Sequence, residues 1–260
     1  AEGCSNCCTY CAIPAIRGKF RSRKMEDIVS EARWLAENGV TELVVVAQDT
    51  TRYGEDIYGK SMLPELLRQL CQIDGFKWIR TLYCYPERIT DELIDTIASE
   101  EKLVKYLDLP IQHCNGEILK AMNRQGDRKY LTELIAKIRA KIPDVILRTT
   151  LIAGFPGETE EQFEELCEFV KEIQFERLGC FAFSPEEGTK AYDMPDQIHL
   201  KTREHRAEII MEEQMIISDR LNEKCMGKTF EVVCEGFDRY AECYYGRSAA
   251  DAPEIDGKIF

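Results

Sequence analysis

Four cysteines crowd into the first eleven residues, AEGCSNCCTYC, and three of them, Cys4, Cys8 and Cys11, are spaced C-x3-C-x2-C with Tyr10 just before the last. Three thiolates on one short loop can each take one iron of a cubane [4Fe–4S] cluster and leave the fourth iron without a protein ligand. An open metal position is where a substrate or cofactor binds, by the logic that separates catalytic from structural zinc. Gly3 before the first cysteine and Ile13-Pro14 after the last suit a tight loop leaving a strand. A three-cysteine zinc site would lack a fourth ligand, because His113 lies far along the chain. A disulfide loop is disfavoured by the crowding of the thiols and by the absence of a secretory pattern. Cys4, Cys7 and Cys11 would read C-x2-C-x3-C instead. The register that sets Tyr10 beside the last ligand favours Cys8 and leaves Cys7 a spare thiol.

The bulk composition narrows the class. A chain of 260 residues can bury a full core, with room for one large domain and a small one. No apolar run approaches the ~20 residues that a membrane span needs. Twelve cysteines read as those of a cytoplasmic protein. The scattered ones, Cys71, Cys84, Cys114, Cys167, Cys180, Cys225, Cys234 and Cys243, read as small core residues rather than ligands. A net charge of −13 argues against a large nucleic-acid footprint and suits a basic protein partner.

The elements that must position the cysteine loop follow from the pattern of apolar residues. Ile28, Ala32 and Leu35 recur at helical spacing over Glu26–Asn38, and Gly39 stands at C′. Leu43–Ala47 is a continuous run that reads as a strand buried on both faces. The pairing repeats: helix 63–73 and strand 78–83, helix 91–98 and strand 106–109, helical segments over 117–141 and strand 145–153, helix 160–173 and strand 178–183. Helix alternating with buried strand means crossover units and a parallel sheet. A long helix over 199–224 closes this part. Strand 229–234, a turn at Gly236-Phe237-Asp238 and strand 243–247 come after it.

The run EGC-x3-C-T-Y-C-A-I-P-x3-RG, Glu2 to Gly18, resembles the radical S-adenosylmethionine superfamily, and within it the methylthiotransferases. The resemblance implies a partial (β/α)6 barrel over residues 1–225, lacking its first strand here, and the start of a small TRAM β-barrel over 226–260. The sequence is thus expected to be a piece of a longer protein. The cysteine loop is expected to be tethered at one end only, so that ordering it around a cluster costs about 1–2 kcal/mol per residue fixed.

Ligands of parallel α/β sheets gather at the carboxyl ends of strands, and family motifs fall at four such ends. In AQDTTRYG, Gln48 is the implied contact for the amino-acid end of S-adenosylmethionine. In L-P-I-Q-H, Gln112 offers a donor and an acceptor to the ribose, His113 is structural, and Arg124, one helix later, would pair with the cofactor carboxylate. In R-T-T-L-I-A-G-F-P-G-E, Thr150, Gly154 and Phe155 are implied cofactor contacts, with Gly154 and Gly157 letting backbone approach the adenine. Tyr10 joins this cofactor set. Glu158, Glu160, Glu161, Glu164 and Glu165 read mostly as a helix start and a solvated face. S-P-E-E-G-T at Ser184–Thr189 reads as loop. P-I-Q-H points to the ribosomal-protein branch, which adds a methylthio group to the β-carbon of an aspartate on small-subunit protein twelve. It would work through a deoxyadenosyl radical, an external electron donor and a second [4Fe–4S] cluster from an upstream domain. The alternatives are the transfer-RNA adenosine branch and a structural zinc module. An RNA substrate is disfavoured by the acidic balance of residues 226–260.

Overall fold

The computed structural model describes all residues from Ala1 to Phe260. The elements run α1 (Ile13–Arg17), α2 (Met25–Glu37), β1 (Glu42–Val45), α3 (Glu55–Tyr58), α4 (Leu63–Cys71), β2 (Trp78–Thr81), α5 (Asp91–Ser99), β3 (Tyr106–Asp108), α6 (Gly116–Ala121), α7 (Arg128–Lys141), β4 (Ile146–Ala153), α8 (Glu160–Ile173), β5 (Arg177–Ala182), α9 (Leu200–Glu223), β6 (Val233–Asp238) and β7 (Cys243–Arg247). The first five strands are all parallel, β1 with β2 and β3–β4–β5 in order. A single bridge, Ile79 to Leu103, joins the two groups into one arc. The later crossovers have helices with a polar start: Thr90 caps α5, Asn115 caps α6, Asp127 caps α7, and Thr159 forms a capping box with Gln162 on α8. No helix is long and apolar enough to cross a membrane.

The core lies between the outer face of the arc and its helices. Leu147, Leu151 and Ala153 of β4 point into it, with Ile135 and Ile138 of α7 and Phe163, Leu166 and Phe169 of α8. The opposite face of β4, including Arg148, Thr150 and Ile152, stays half-buried and lines the interior of the arc. The Leu43–Ala47 run departs from expectation. Its residues are half-buried and Val46 is exposed, because β1 is paired on one edge only and an apolar groove of about 300 Å³ runs along Val44–Val46.

The C-terminal part also differs from the pattern reading. Gly236-Phe237-Asp238 is strand, not turn, and the chain reverses after Asp238, whose carboxylate accepts from the N–H of Tyr240 and Ala241. A bulge between Cys234 and Gly236 absorbs the shift, where a glycine is needed because a Cβ would meet the Tyr245 ring at 2.8–3.0 Å. Of the scattered cysteines, Cys71, Cys84, Cys114 and Cys180 are core. Cys225 and Cys234 are exposed, on the end of α9 and on a hairpin with little core beneath it.

Candidate functional site

The cysteine loop sits at the carboxyl ends of the strands and is tied down from several sides. Glu2 and Arg21 exchange backbone hydrogen bonds of 3.0 and 2.8 Å, and the N–H of Cys4 donates to Gly18 O at 3.1 Å. Gly3, at φ +75°, allows this approach, since a Cβ there would lie 2.3 Å from Lys19 O. Thr9 donates through its N–H to Met122 O and through its hydroxyl to Ala121 O, while its own carbonyl accepts from Ala191. Asn6 donates to Asp49 Oδ2 at 2.7 Å and accepts from Arg52 at 2.9 Å, and Asn123 holds the carbonyls of Asn6 and Cys7 at 3.2 and 3.0 Å. The expected single tether is therefore replaced by anchors on three other loops. The entropy of ordering the loop is opposed by about ten hydrogen bonds, each worth about 1 kcal/mol net.

Cys4 and Cys8 are buried and Cys11 is half-buried. Burial pushes the Cys4 and Cys11 thiols above the ordinary range, and the neighbouring Cys8 adds to both shifts. Cys8 is thus a near neighbour of both other thiols. Cys7 is exposed, in a left-handed backbone conformation at φ 53°. No three His, Cys, Asp or Glu side chains converge as ligands of a single metal ion would. Each thiol of a cubane instead takes a different iron.

Aromatic and charged side chains brace this loop. Tyr85 Oη lies 3.7 Å from Cys8 Sγ, and Arg124 stacks over the Tyr85 ring at 4.2 Å. Burial, and then the nearby Cys8, push the phenols of Tyr10 and Tyr85 far up, so both stay protonated as donors. Arg124 is buried and its fork is filled: Glu87 accepts at 2.7 and 3.1 Å, Pro110 O at 3.1 Å, and Tyr10 Oη lies at 3.4 Å. The arginine expected to pair with a cofactor carboxylate already has one, from its own chain. A polar cleft of about 450 Å³ opens beside the loop, between Asn6, Arg52, Arg88 and Asn123.

The remaining expected contacts fall into two groups. Gln48 is half-buried at the end of β1, next to Asp49, whose carboxyl burial pushes up. Gln112 is buried, at φ 69°, and carries β3 onward as a bridge to Leu151, with its N–H on Thr150 O and its amide on Pro110 O. Thr150 shows its side chain to the interior of the arc. Phe155 packs edge-on against Phe183, 5.3 Å between centroids, in a small apolar cluster that Tyr10 also touches. Gly154, at φ +75°, is closely approached by α9: a Cβ there would lie 2.3 Å from Arg203 Cγ.

Glu158 is not on a solvated face. It is buried, its carboxylate accepts from Gly154 N with both oxygens at 3.0 Å and from Arg206 at 2.8 Å, and His113 Nε2 stands 3.4 Å away. His113 takes the N–H of Asn115 on Nδ1 at 2.9 Å. Sequence reasoning also missed Asn6, Tyr85, Glu87 and Asn123. A signal for two of them was available. Tyr85 and Glu87 lie just past β2, a strand end that the same positional rule would have nominated.

With this geometry in hand, the comparisons with known proteins place the chain. The family model described as the Radical SAM superfamily matches residues 1–170, and a TRAM domain model matches 226–260. The chain belongs to the radical SAM superfamily. It is 52% identical over all its 260 residues to the ribosomal protein uS12 methylthiotransferase RimO of Thermoanaerobacter sp. (strain X514), covering 59% of that relative, and 54% identical to the protein of the same name from Lachnoclostridium phytofermentans, again covering 59%. The chain thus spans a little over half the length of these relatives. Among solved structures, Escherichia coli coproporphyrinogen III oxidase (HemN) superposes with TM-score 0.59 at 18% identity, over 85% of this chain and 51% of that one. The methyltransferase TsrM of Kitasatospora setae gives 0.56, at 18% identity, over 69% and 34%. At such identities the likeness is one of fold: an arc of parallel strands with helices outside.

Proposed function

We propose that the full protein adds a methylthio group to the β-carbon of an aspartate in ribosomal protein uS12, in the cytoplasm. The observation that carries this is identity of 51–54% along the entire chain to relatives that bear that activity in their names. Cys4, Cys8 and Cys11 are the proposed ligands of a [4Fe–4S] cluster. The donor set suits it: three thiols, two of them buried, on one short loop anchored from several sides. Held there, the cluster together with S-adenosylmethionine would supply the radical chemistry needed to activate an unreactive C–H bond.

The chain's own part is to bind, orient and keep water out. Gln48 and Gln112 lie just past the ends of β1 and β3, and Thr150 lies mid-way along the half-buried face of β4. Tyr10 and Phe155 form an apolar floor beside them. Arg124, neutralised by Glu87, acts on the site through Tyr10 and Tyr85, which it holds against the cysteine loop. Gly154 acts through its N–H on Glu158 and through the room it leaves for α9. Sulfur insertion needs a second cluster, and the remaining thiols are dispersed over separate elements. We place that cluster in the length of the relatives that this chain does not span. Electrons come from an external donor.

The transfer-RNA branch is the weaker reading. The named relatives are uS12 enzymes, and residues 226–260 hold seven acidic against four basic side chains, the wrong balance for gripping RNA. Superfamily membership leaves the structural-zinc module without support. The test has two arms. The anaerobically reconstituted chain should take up iron and sulfide and cleave S-adenosylmethionine to 5′-deoxyadenosine without forming methylthioaspartate. Cells lacking the full-length protein should lose the methylthio mass shift on uS12. An unchanged uS12 mass in such cells would sink the substrate assignment.

A further inference from the structure

The residues from Arg17 to Lys24 read R-G-K-F-R-S-R-K, five cations and no anion, in a chain of net charge −13. The rest of the protein therefore carries −18. Arg17, Lys19, Arg21, Arg23 and Lys24 are all exposed. Arg17 pairs with Glu2 and Arg23 with Glu31, which leaves Lys19, Arg21 and Lys24 outside any salt bridge. The strip is held against the cysteine loop: Glu2 and Arg21 pair as antiparallel strands, Cys4 donates to Gly18 O at 3.1 Å, and Gly3 touches Lys19 backbone. Ile16, 73% exposed, stands between Cys11 and the first of the cations.

We infer that this strip is the docking surface for an acidic one-electron carrier protein, an inference that rests on the cluster assigned above to Cys4, Cys8 and Cys11. Reducing such a cluster moves one electron in from outside. The carrier is oxidised by one electron, the cluster is reduced by one, and no bond forms or breaks. Electron tunnelling fades steeply with distance, so the carrier must seat close to the cysteines, and this strip sets three unpaired cations beside them. A small patch of charge around one exposed apolar residue suits the brief, steered encounters of redox partners. A basic protein substrate is repelled by the strip and attracted by the acidic remainder, which separates the two docking faces. RNA is the lesser fit, because five cations on one short strip make a small phosphate footprint.

The test replaces the three unpaired cations together, Lys19→Glu, Arg21→Glu and Lys24→Glu, in the whole chain. Binding of flavodoxin, an acidic flavin carrier used as the probe, is measured by calorimetry on the cluster-free protein at low salt. Reduction of the reconstituted cluster by reduced flavodoxin is followed by stopped-flow bleaching. The variant should lose about tenfold or more in both affinity and second-order rate. The unaltered protein should slow as salt approaches 0.1 M, where screening sets in over about 10 Å. Dithionite, a small reductant, should bleach both proteins alike, showing that the cluster is intact. Equal binding and equal rates with flavodoxin would overturn the inference, as would tighter binding of a mixed-sequence RNA oligonucleotide than of the carrier. A chain that takes up no iron would overturn the cluster assignment alone, because the binding arm still decides the surface.

Discussion

The two ends of the strand arc use the same side chains to opposite effect. At the amino-terminal end Arg80, Arg148, Arg177 and Arg247 are spent on structure. Arg80 is fully buried, pairs with Glu42 at 3.1 Å, donates to Ala249 O and stacks on Tyr106. Arg247 reaches the same Glu42 at 2.7 Å, Arg177 meets Asp251 at 2.7 Å, and Arg148 has Asp256 3.9 Å away. The C-terminal segment thus closes that mouth of the arc with its own carboxylates. At the carboxyl end, arginines also pair, yet they leave a polar cleft and prop up a cysteine loop. Here the backbone takes left-handed turns at Cys7, Tyr83, Gln112 and Asn123, none of them glycine. One end is closed by short-range charge neutralisation. The other is kept open by irregular backbone whose polar groups are satisfied sideways, loop to loop.

This contrast can be broken at either end, and the largest effect should come from the open one. Cys8→Ala should abolish cluster uptake while leaving the urea midpoint of the cluster-free chain nearly unchanged, whereas Cys7→Ala should keep most of the iron. Iron and sulfide analysis of both variants decides it, and loss of the cluster in Cys7→Ala alone would reverse the register. At the closed end the outcome inverts. Arg80→Ala should cost about 3 kcal/mol of stability, the low end of the range for breaking a buried pair, because Arg247 still faces Glu42. Its iron content after reconstitution should match the parent. A variant that lost both stability and cluster would show that the two ends are one cooperative unit. The smallest effect is one of pH. Only thiolates ligate iron, and burial holds the Cys4 and Cys11 thiols above their ordinary range. Fewer thiolates are present at neutral pH, so the rate of iron incorporation should rise steadily as pH goes up from 7, as the sign of the shift requires. A flat rate would mean that the thiols are not deprotonated from this buried state.

Much of the fold was legible because its determinants are local. The helices over 25–37, 63–71, 91–99, 160–173 and 200–223 and the strands around 78–81, 106–108, 146–153 and 177–182 follow from apolar periodicity, caps and β-branched runs, each read within a few residues of where it lies. The cysteine spacing is equally local, since three thiols within one loop stay neighbours in any fold. What the sequence left open is every property that depends on which loop meets which. Whether the Leu43–Ala47 run has both faces covered turns on the number of strands beside it, and β1 has one. Arg124 looks available from the residues around it in sequence, and it is the approach of the loop after β2 that brings Glu87 into its fork. Gly154 advertises a close contact, but only the path of α9 shows that Arg203 makes it. Glu158 resembles its solvated neighbours in sequence and is buried because Gly154 and Arg206 converge on it. Periodicity and spacing encode interactions between residues a few positions apart. The partners of a buried charge lie tens of residues away, and only packing in three dimensions selects them.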